Sequence, residues 1–322
     1  IYNTGQKLNH RLYNISLGKK FTNGFIRNGH DVLEISDRDF IKQNRTFSLS
    51  TSTNDKFQKY LIETFKNYNP DLLFFGHTKN IELETIDKFK STNKNLVISQ
   101  WNEDPIMPSL DYSKTNIKNI SYYGNNVDHN FITTDPSVFK KQNTKIKNLH
   151  FFFVPVDRNI ECFDVFKLNP TKDIFYAMSH GVNRAKLKKG KIDTRINFLN
   201  NLVRNIKDIN YDFYGFENKE PIWGDSFYRA LVNSKMGLNL SRGLPTKYYS
   251  SNRIASLMGN GLLTFIDKKT QMNDFFNNNE IIFYDNVHDL SDKINFYKRN
   301  TKSRIRIAKN GKKKYFQLFN EL

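Results

Sequence analysis

Apolar positions recur along this chain in two alternating rhythms. Runs spaced by three and four residues predict helices with one buried side, and short solid apolar runs predict strands covered on both faces. Residues 11–28 form the first helical pattern, with Leu12, Ile15, Leu17, Phe21 and Phe25 on one broad side. Gly29 stops it, and residues 31–36 follow as a strand. Helical patterns over 56–68 and 81–90 then alternate with strands at 72–76, 96–99 and 131–134. The chain opens at Ile1 in what reads as the end of a first strand.

Phe151-Phe152-Phe153-Val154 is apolar and stops at Pro155, which predicts a domain boundary there. The alternation then restarts. Strands are expected at 173–178, 211–215, 237–241, 262–266 and 281–284. Helices are expected at 193–205, 227–234, 251–258 and from Leu290 onward. Strand–helix alternation implies parallel sheets with helices on both faces. The expectation is an α/β chain of two doubly wound, Rossmann-like domains facing across a cleft, residues 1–155 and 156–322, with the last helix packing back on the first domain. In open sheets of this kind ligands bind beyond the carboxyl ends of the strands.

Composition narrows the partners. The 322 residues carry a formal net charge of +18, with 38% hydrophobic and 14% aromatic residues, 28 of them Phe, so a large core is available. Such a basic balance favours anionic partners: nucleotide phosphates, nucleic acid or an anionic membrane surface. The single cysteine, Cys162, excludes a disulfide framework and a cysteine-based zinc site, and fits a reducing cytoplasm. No apolar run approaches the ~20 residues that span a bilayer. The seven histidines lack the H-E-x-x-H spacing, so no metal is expected. The loop at residues 3–11 holds one glycine, Gly5, and is not a G-x-G-x-x-G fingerprint.

The stretch SNRIASLMGNGLLTF, residues 251–265, joins an uncharged helix, a Gly259-Asn260-Gly261 turn and a buried strand. Ser250 and Ser251 are placed to cap that helix, with Arg253 beside its start, a pattern that suits an anion. Taken with YDFYGF (211–216), NSKMGLNLSRG (233–243), the segment 274–297 with Glu280 and the Asp289-Leu290 pair, and RIAKNGKKKY (306–315), the second half resembles GT-B glycosyltransferases of the CgeB-like group within the broad group 1 set. FIRNGHDVLEISDRD (25–39) resembles the first helix and second strand of such enzymes more loosely.

The resemblance implies a metal-independent transferase that takes a sugar from a nucleoside diphosphate. It implies an acceptor among surface glycans or glycolipids, docking at the inner face of an anionic membrane, and no nucleic-acid partner. Gly215, Arg242, Tyr248, Tyr249, Ser251, Asn252, Arg253 and Ser256 are the implied donor contacts. His180, Arg184, Lys191 and Arg195, in the basic segment 179–195, are candidates to face the diphosphate. In many relatives two carboxylates hold the donor ribose, where this chain has Tyr248 and Ser256. That departure leaves an inactive nucleotide-sugar-binding relative as a second reading, and a nucleic-acid-binding protein as a third.

In the first half, SQWNEDPI (99–106) is read as a strand that ends and presents Trp101, Asn102, Glu103 and Asp104 in a loop. Trp101, Asn102 and Gly5 are the candidate acceptor contacts. Asp104 or Glu103 is the candidate general base. His77, just after the 72–76 strand, is the histidine expected to share their site.

Overall fold

The computed structural model describes residues 1–2, 9–45, 50–107, 111–140, 146–179, 193–206 and 208–322. The chain divides into two compact units, Ile1–Phe153 and Val154–Leu322.

The first unit runs α1 (Leu17–Arg27), α2 (Asp37–Gln43), α3 (Ser50–Tyr68), β1 (Leu72–Gly76), α4 (Leu83–Thr92), β2 (Val97–Asn102), α5 (Asp111–Gly124), β3 (His129–Ile132), α6 (Ser137–Lys140) and β4 (Leu149–Phe151). Its strands pair in the order β1-β2-β3-β4, all parallel. Phe57, Phe75, Ile86 and Ile98, all essentially inaccessible, centre a core of this unit. A second aromatic layer packs Phe21 against Phe74, Trp101 and Phe152.

Two expectations change here. Residues 31–35 do not form a strand; among the described residues the backbone pairing here is a single bridge between Tyr2 and Ser36, and Tyr2 bridges Gly76 as well. A strand needs a partner along its length, and among the described residues no ladder runs beside Leu33, which is left 45% exposed. The first long helix is also shorter than its apolar pattern. Ser16 accepts from the Lys19 amide and caps α1, so residues 9–15 form a separate 3₁₀ turn.

The second unit runs β5 (Lys172–Ala177), α7 (Thr194–Asn205), β6 (Tyr211–Tyr214), α8 (Gly224–Val232), β7 (Ser234–Asn239), α9 (Arg253–Gly259), β8 (Leu263–Asp267), β9 (Ile282–Tyr284), α10 (Val287–Arg299) and α11 (Thr301–Leu318). The sheet order is β6-β5-β7-β8-β9, again wholly parallel. The order reverses beside β5, which makes the carboxyl ends of β5 and β7 the switch point. Ile174, Tyr176, Met236, Leu238 and Phe265 form the buried centre.

The turn after α9 is built by three different demands. Gly261 has φ +78°, a conformation only glycine adopts freely. Gly259 leaves room, since a Cβ there would sit 2.7 Å from Glu161 and Val156. Asn260, fully buried, donates to Ser256 O and accepts from the Phe163 amide, so the turn clamps the segment that leads into the unit. At the far end, α11 closes the same unit: the Tyr315 hydroxyl donates to Val154 O.

A cavity of ≈ 590 Å³ opens in the first unit. It lies between residues 31–35 and 69–74, along β1, and is lined by Phe21, Phe25, Phe65, Leu73 and Trp101.

Gly311 gives a test of this packing. Alanine is favoured over glycine inside a helix by about 1 kcal/mol, yet a Cβ at Gly311 would lie 2.2 Å from the Glu280 carbonyl oxygen, which is backbone. Gly311→Ala is therefore expected to destabilise the chain by about 1–3 kcal/mol in urea unfolding. A stabilised variant contradicts the close approach of α11 to the β9 entry.

Candidate functional site

In the second unit the carboxyl ends of β5 and β7 converge on one side chain. Arg253 opens α9, and its guanidinium lies 4.8 Å from the Tyr176 ring centroid. Its Nε donates to Ala177 O at 3.0 Å. Its Nη1 donates to Leu240 O at 3.1 Å and to Ser251 Oγ at 3.0 Å. All these acceptors are neutral, and no carboxylate pairs with Arg253 among the described residues. Burial pulls its pKa below the ordinary guanidinium value, and Arg195 nearby pulls in the same direction. A guanidinium stays charged in proteins, so this position holds a cation with no anion of its own.

Arg195 differs. Asp193 caps α7 and grips Arg195 through both carboxylate oxygens, Nε–Oδ1 3.0 Å and Nη2–Oδ2 2.6 Å. Arg195 also donates to Ser179 O. Burial pushes the Asp193 carboxyl up, but Arg195, and Arg242 more weakly, outweigh it and hold it below the usual range. Arg195 and Arg242 thus share the field of one carboxylate. Arg242 itself is exposed, just past the end of β7.

In the first unit His77 follows β1 directly and has φ +52°. That strained conformation needs support from its surroundings. Its Nε2 lies 2.6 Å from Glu103 Oε2, and its Nδ1 3.8 Å from Asp104 Oδ2. The loop carrying both carboxylates is pinned: Thr133 Oγ1 donates to Glu103 O, and the Asp104 amide donates to Asn102 Oδ1. Burial alone lowers the His77 pKa, yet the Glu103 and Asp104 charges raise it to about 9. Asp104 is pushed above the usual carboxylate range by desolvation first, then by Glu103, against the pull of His77. Its side chain remains half exposed.

The three proposed acid–base residues, His77, Glu103 and Asp104, therefore meet at the carboxyl ends of β1 and β2. Trp101 and Asn102 do not sit in the loop: both belong to β2 and are 5% exposed. Trp101 packs edge-on to His77 and against Phe21, filling the space that Gly76 leaves by lacking a Cβ. It supports the histidine and offers no open face for stacking a sugar. Asn102 holds the loop.

On the donor side, Ser251 accepts from Arg253, while Ser250 accepts from Asn239 Nδ2. Neither caps α9; the capping position is Asn252, and its side chain makes no capping bond. The Asn252 side-chain oxygen is buried with no partner among the described residues. Ser256 is buried beside Tyr228, and Tyr249 is 6% exposed. Tyr248, at φ +60°, donates to Asp274 Oδ2. Gly215, at φ +76°, lets β6 approach Met178 O, where a Cβ would fall 2.1 Å away. Gly5, His180, Arg184 and Lys191 lie outside the described residues. Tyr176 and Asp193 were missed from sequence. Tyr176 reads there as one more core aromatic, and only the i, i+2 pairing of Asp193 with Arg195 hinted at a clamp.

The His77 pair is testable by NMR titration. A pKa near 9 is expected, falling below the ordinary 6.5 in Glu103→Gln as burial takes over. Because the folded value lies above 6.5, the pair's contribution to stability is complete below that pH and is lost as pH rises through about 9. An unshifted His77 overturns the ion pair.

Comparison with known proteins follows the same geometry. Residues 193–320 match the family model described as "Glycosyl transferase-like". No curated protein matches the chain. Among solved structures, HepE of Anabaena, in complex with UDP and glucose, aligns with TM-score 0.58 at 12% identity, covering 99% of this chain and 95% of its own. A glycosyltransferase of Rickettsia africae aligns with TM-score 0.52 at 15% identity, covering 95% and 92%. Sucrose-phosphate synthase of Thermosynechococcus elongatus aligns with TM-score 0.50 at 12% identity, covering 90% and 77%. At such identities the likeness speaks for the fold alone, two Rossmann-like units of the GT-B type. The family match thus runs from the Asp193 cap into the end of the last helix, and the chain as a whole shares the GT-B type of fold with these structures.

Proposed function

We propose that the chain transfers a sugar from a nucleoside diphosphate sugar to a hydroxyl of a surface-glycan or glycolipid acceptor, without a metal. The observation that carries this reading is the Arg253 guanidinium, held by neutral acceptors at the switch point of the second unit. A desolvated cation without a partner is costly, and an anion arriving there recovers the interaction. A diphosphate is such an anion, and the HepE structure contains UDP.

In this scheme the bond between the sugar C1 and the diphosphate oxygen breaks, and the electron pair leaves with the diphosphate. Arg253 and Arg242 are fixed cations that stabilise the charge as it develops, the task a metal performs elsewhere. Arg195 acts through position: paired with Asp193, it holds the Ser179 end of the basic segment. Asn252 supplies an unused acceptor for a ribose hydroxyl in place of the absent carboxylates.

The acceptor hydroxyl oxygen forms the new bond to C1, and its proton passes to a base. Asp104 is the better base. Its side chain is half exposed, its pKa is raised, and His77 stands off at 3.8 Å. Glu103 is already engaged, its Oε2 lying 2.6 Å from His77 Nε2.

Two measurements test the scheme. Asp104→Asn is expected to lower kcat by about 10²–10⁴ while donor affinity, read by calorimetry, stays unchanged. Arg242→Ala is expected to weaken nucleoside-diphosphate binding by about tenfold to a hundredfold, and a chelator is expected to leave turnover intact. Donor binding with no transfer to any glycan or lipid acceptor selects the inactive-relative reading, for which Tyr248 and Ser256 at the carboxylate positions are the motive.

A further inference from the structure

The last helix divides its charges into two sets. Between Thr301 and Leu318 there are seven Lys or Arg and no acidic residue. Arg304 is buried and donates to Tyr297 O and Lys298 O. Lys312 pairs with Asp164 at 2.9 Å. Lys314 is partly buried. These serve the fold.

Lys302, Arg306, Lys309 and Lys313 do not. All four are exposed, and none has an ion-pair partner among the described residues. Their spacing of four, three and four residues keeps them within about 60° of one another on a helix of 3.6 residues per turn. The stripe runs about 16 Å. It lies opposite the face that buries Ile307, Ala308, Gly311 and Tyr315 against the unit. Ile305, beside the stripe, is 38% exposed, and Phe296 on α10 is 52% exposed.

We propose that this stripe of α11 is a docking face for an anionic lipid bilayer. A straight row of cations aimed away from the core meets a plane of phosphates at several points at once, and each Lys or Arg near such a surface adds binding. Ile305 favours lipid over a nucleic-acid backbone: the headgroup boundary accepts an apolar side chain lying between cations, and a phosphate chain in water does not. The association is peripheral, since no described helix is long and apolar enough to cross a membrane. It stands independently of the proposed reaction.

The test uses the full chain and vesicle sedimentation. One set of vesicles is phosphatidylcholine alone, and the other is phosphatidylcholine mixed with phosphatidylglycerol. The fourfold variant Lys302→Gln, Arg306→Gln, Lys309→Gln, Lys313→Gln is compared with a fourfold control of equal net charge, Lys56→Gln, Lys66→Gln, Lys88→Gln, Lys94→Gln, at exposed positions of the first unit. The wild type is expected to bind the anionic vesicles only. The α11 variant is expected to lose about a hundredfold or more in affinity, the control far less, with unchanged circular dichroism in both. Ile305→Ser is expected to weaken vesicle binding and leave the retention of a single-stranded RNA unchanged. Equal losses in both fourfold variants reduce the effect to net charge and overturn the proposal. Loss of RNA binding with vesicle binding intact assigns the stripe to nucleic acid and also overturns it.

Discussion

The second unit depends on how a parallel sheet ends. Strands β5 and β7 lie side by side and stop together, so the Ala177 carbonyl and the Leu240 carbonyl just beyond β7 point at one place. Arg253 is drawn into that place, seated on Tyr176, whose own hydroxyl donates to Leu240 O. Neutral acceptors satisfy the guanidinium's geometry but not its charge. In the proposed scheme that imbalance is what recruits the diphosphate: the cation is held in place by the fold, and an arriving anion supplies the charge its neighbours lack. Arg195 illustrates the contrast. The same residue type, also beside Tyr176, is matched by Asp193 and becomes part of the frame.

The first unit solves a different problem at the same end of its sheet. His77 is forced into a left-handed backbone conformation right after Gly76, which brings its ring to Glu103 and Asp104 at the end of the neighbouring strand. Trp101 braces the ring, and Gly76 is glycine because the tryptophan occupies the volume a Cβ needs. In the proposed scheme this strained residue, with its packed brace and two carboxylates of unequal exposure, handles the proton: Glu103 stays with the His77 ring and Asp104, the more exposed, receives it.

Much of this was legible from sequence where short-range rules govern. The alternation of helices and strands, the switch near Pro155 and the grouping of His77 with Glu103 and Asp104 follow from strand ends lying side by side. The errors share a cause as well. Residues 31–36 have the apolar pattern of a strand, but a strand exists only with a partner, and pattern does not report partners. Trp101 and Asn102 were read as loop because Asn, Glu, Asp and Pro cluster there; two further ladder positions opposite β3 extend the strand and bury both. Ser250 and Ser251 have the chemistry of caps, yet Asn239 and Arg253 claim their hydroxyls first. The role of Tyr176 is not readable in one dimension, because it comes from residues 64 and 77 positions further along the chain.

The central claim is that the Arg253 region holds the donor's diphosphate. Titration calorimetry of a nucleoside, its monophosphate and its diphosphate against the wild-type chain tests this most directly. The account predicts that affinity rises steeply with the diphosphate, that the gain is present with chelator, and that Arg253→Lys, which keeps the charge and loses the planar fork, gives up most of it. Equal affinity for the nucleoside and its diphosphate contradicts the account, because the buried cation would then contribute nothing to recognition.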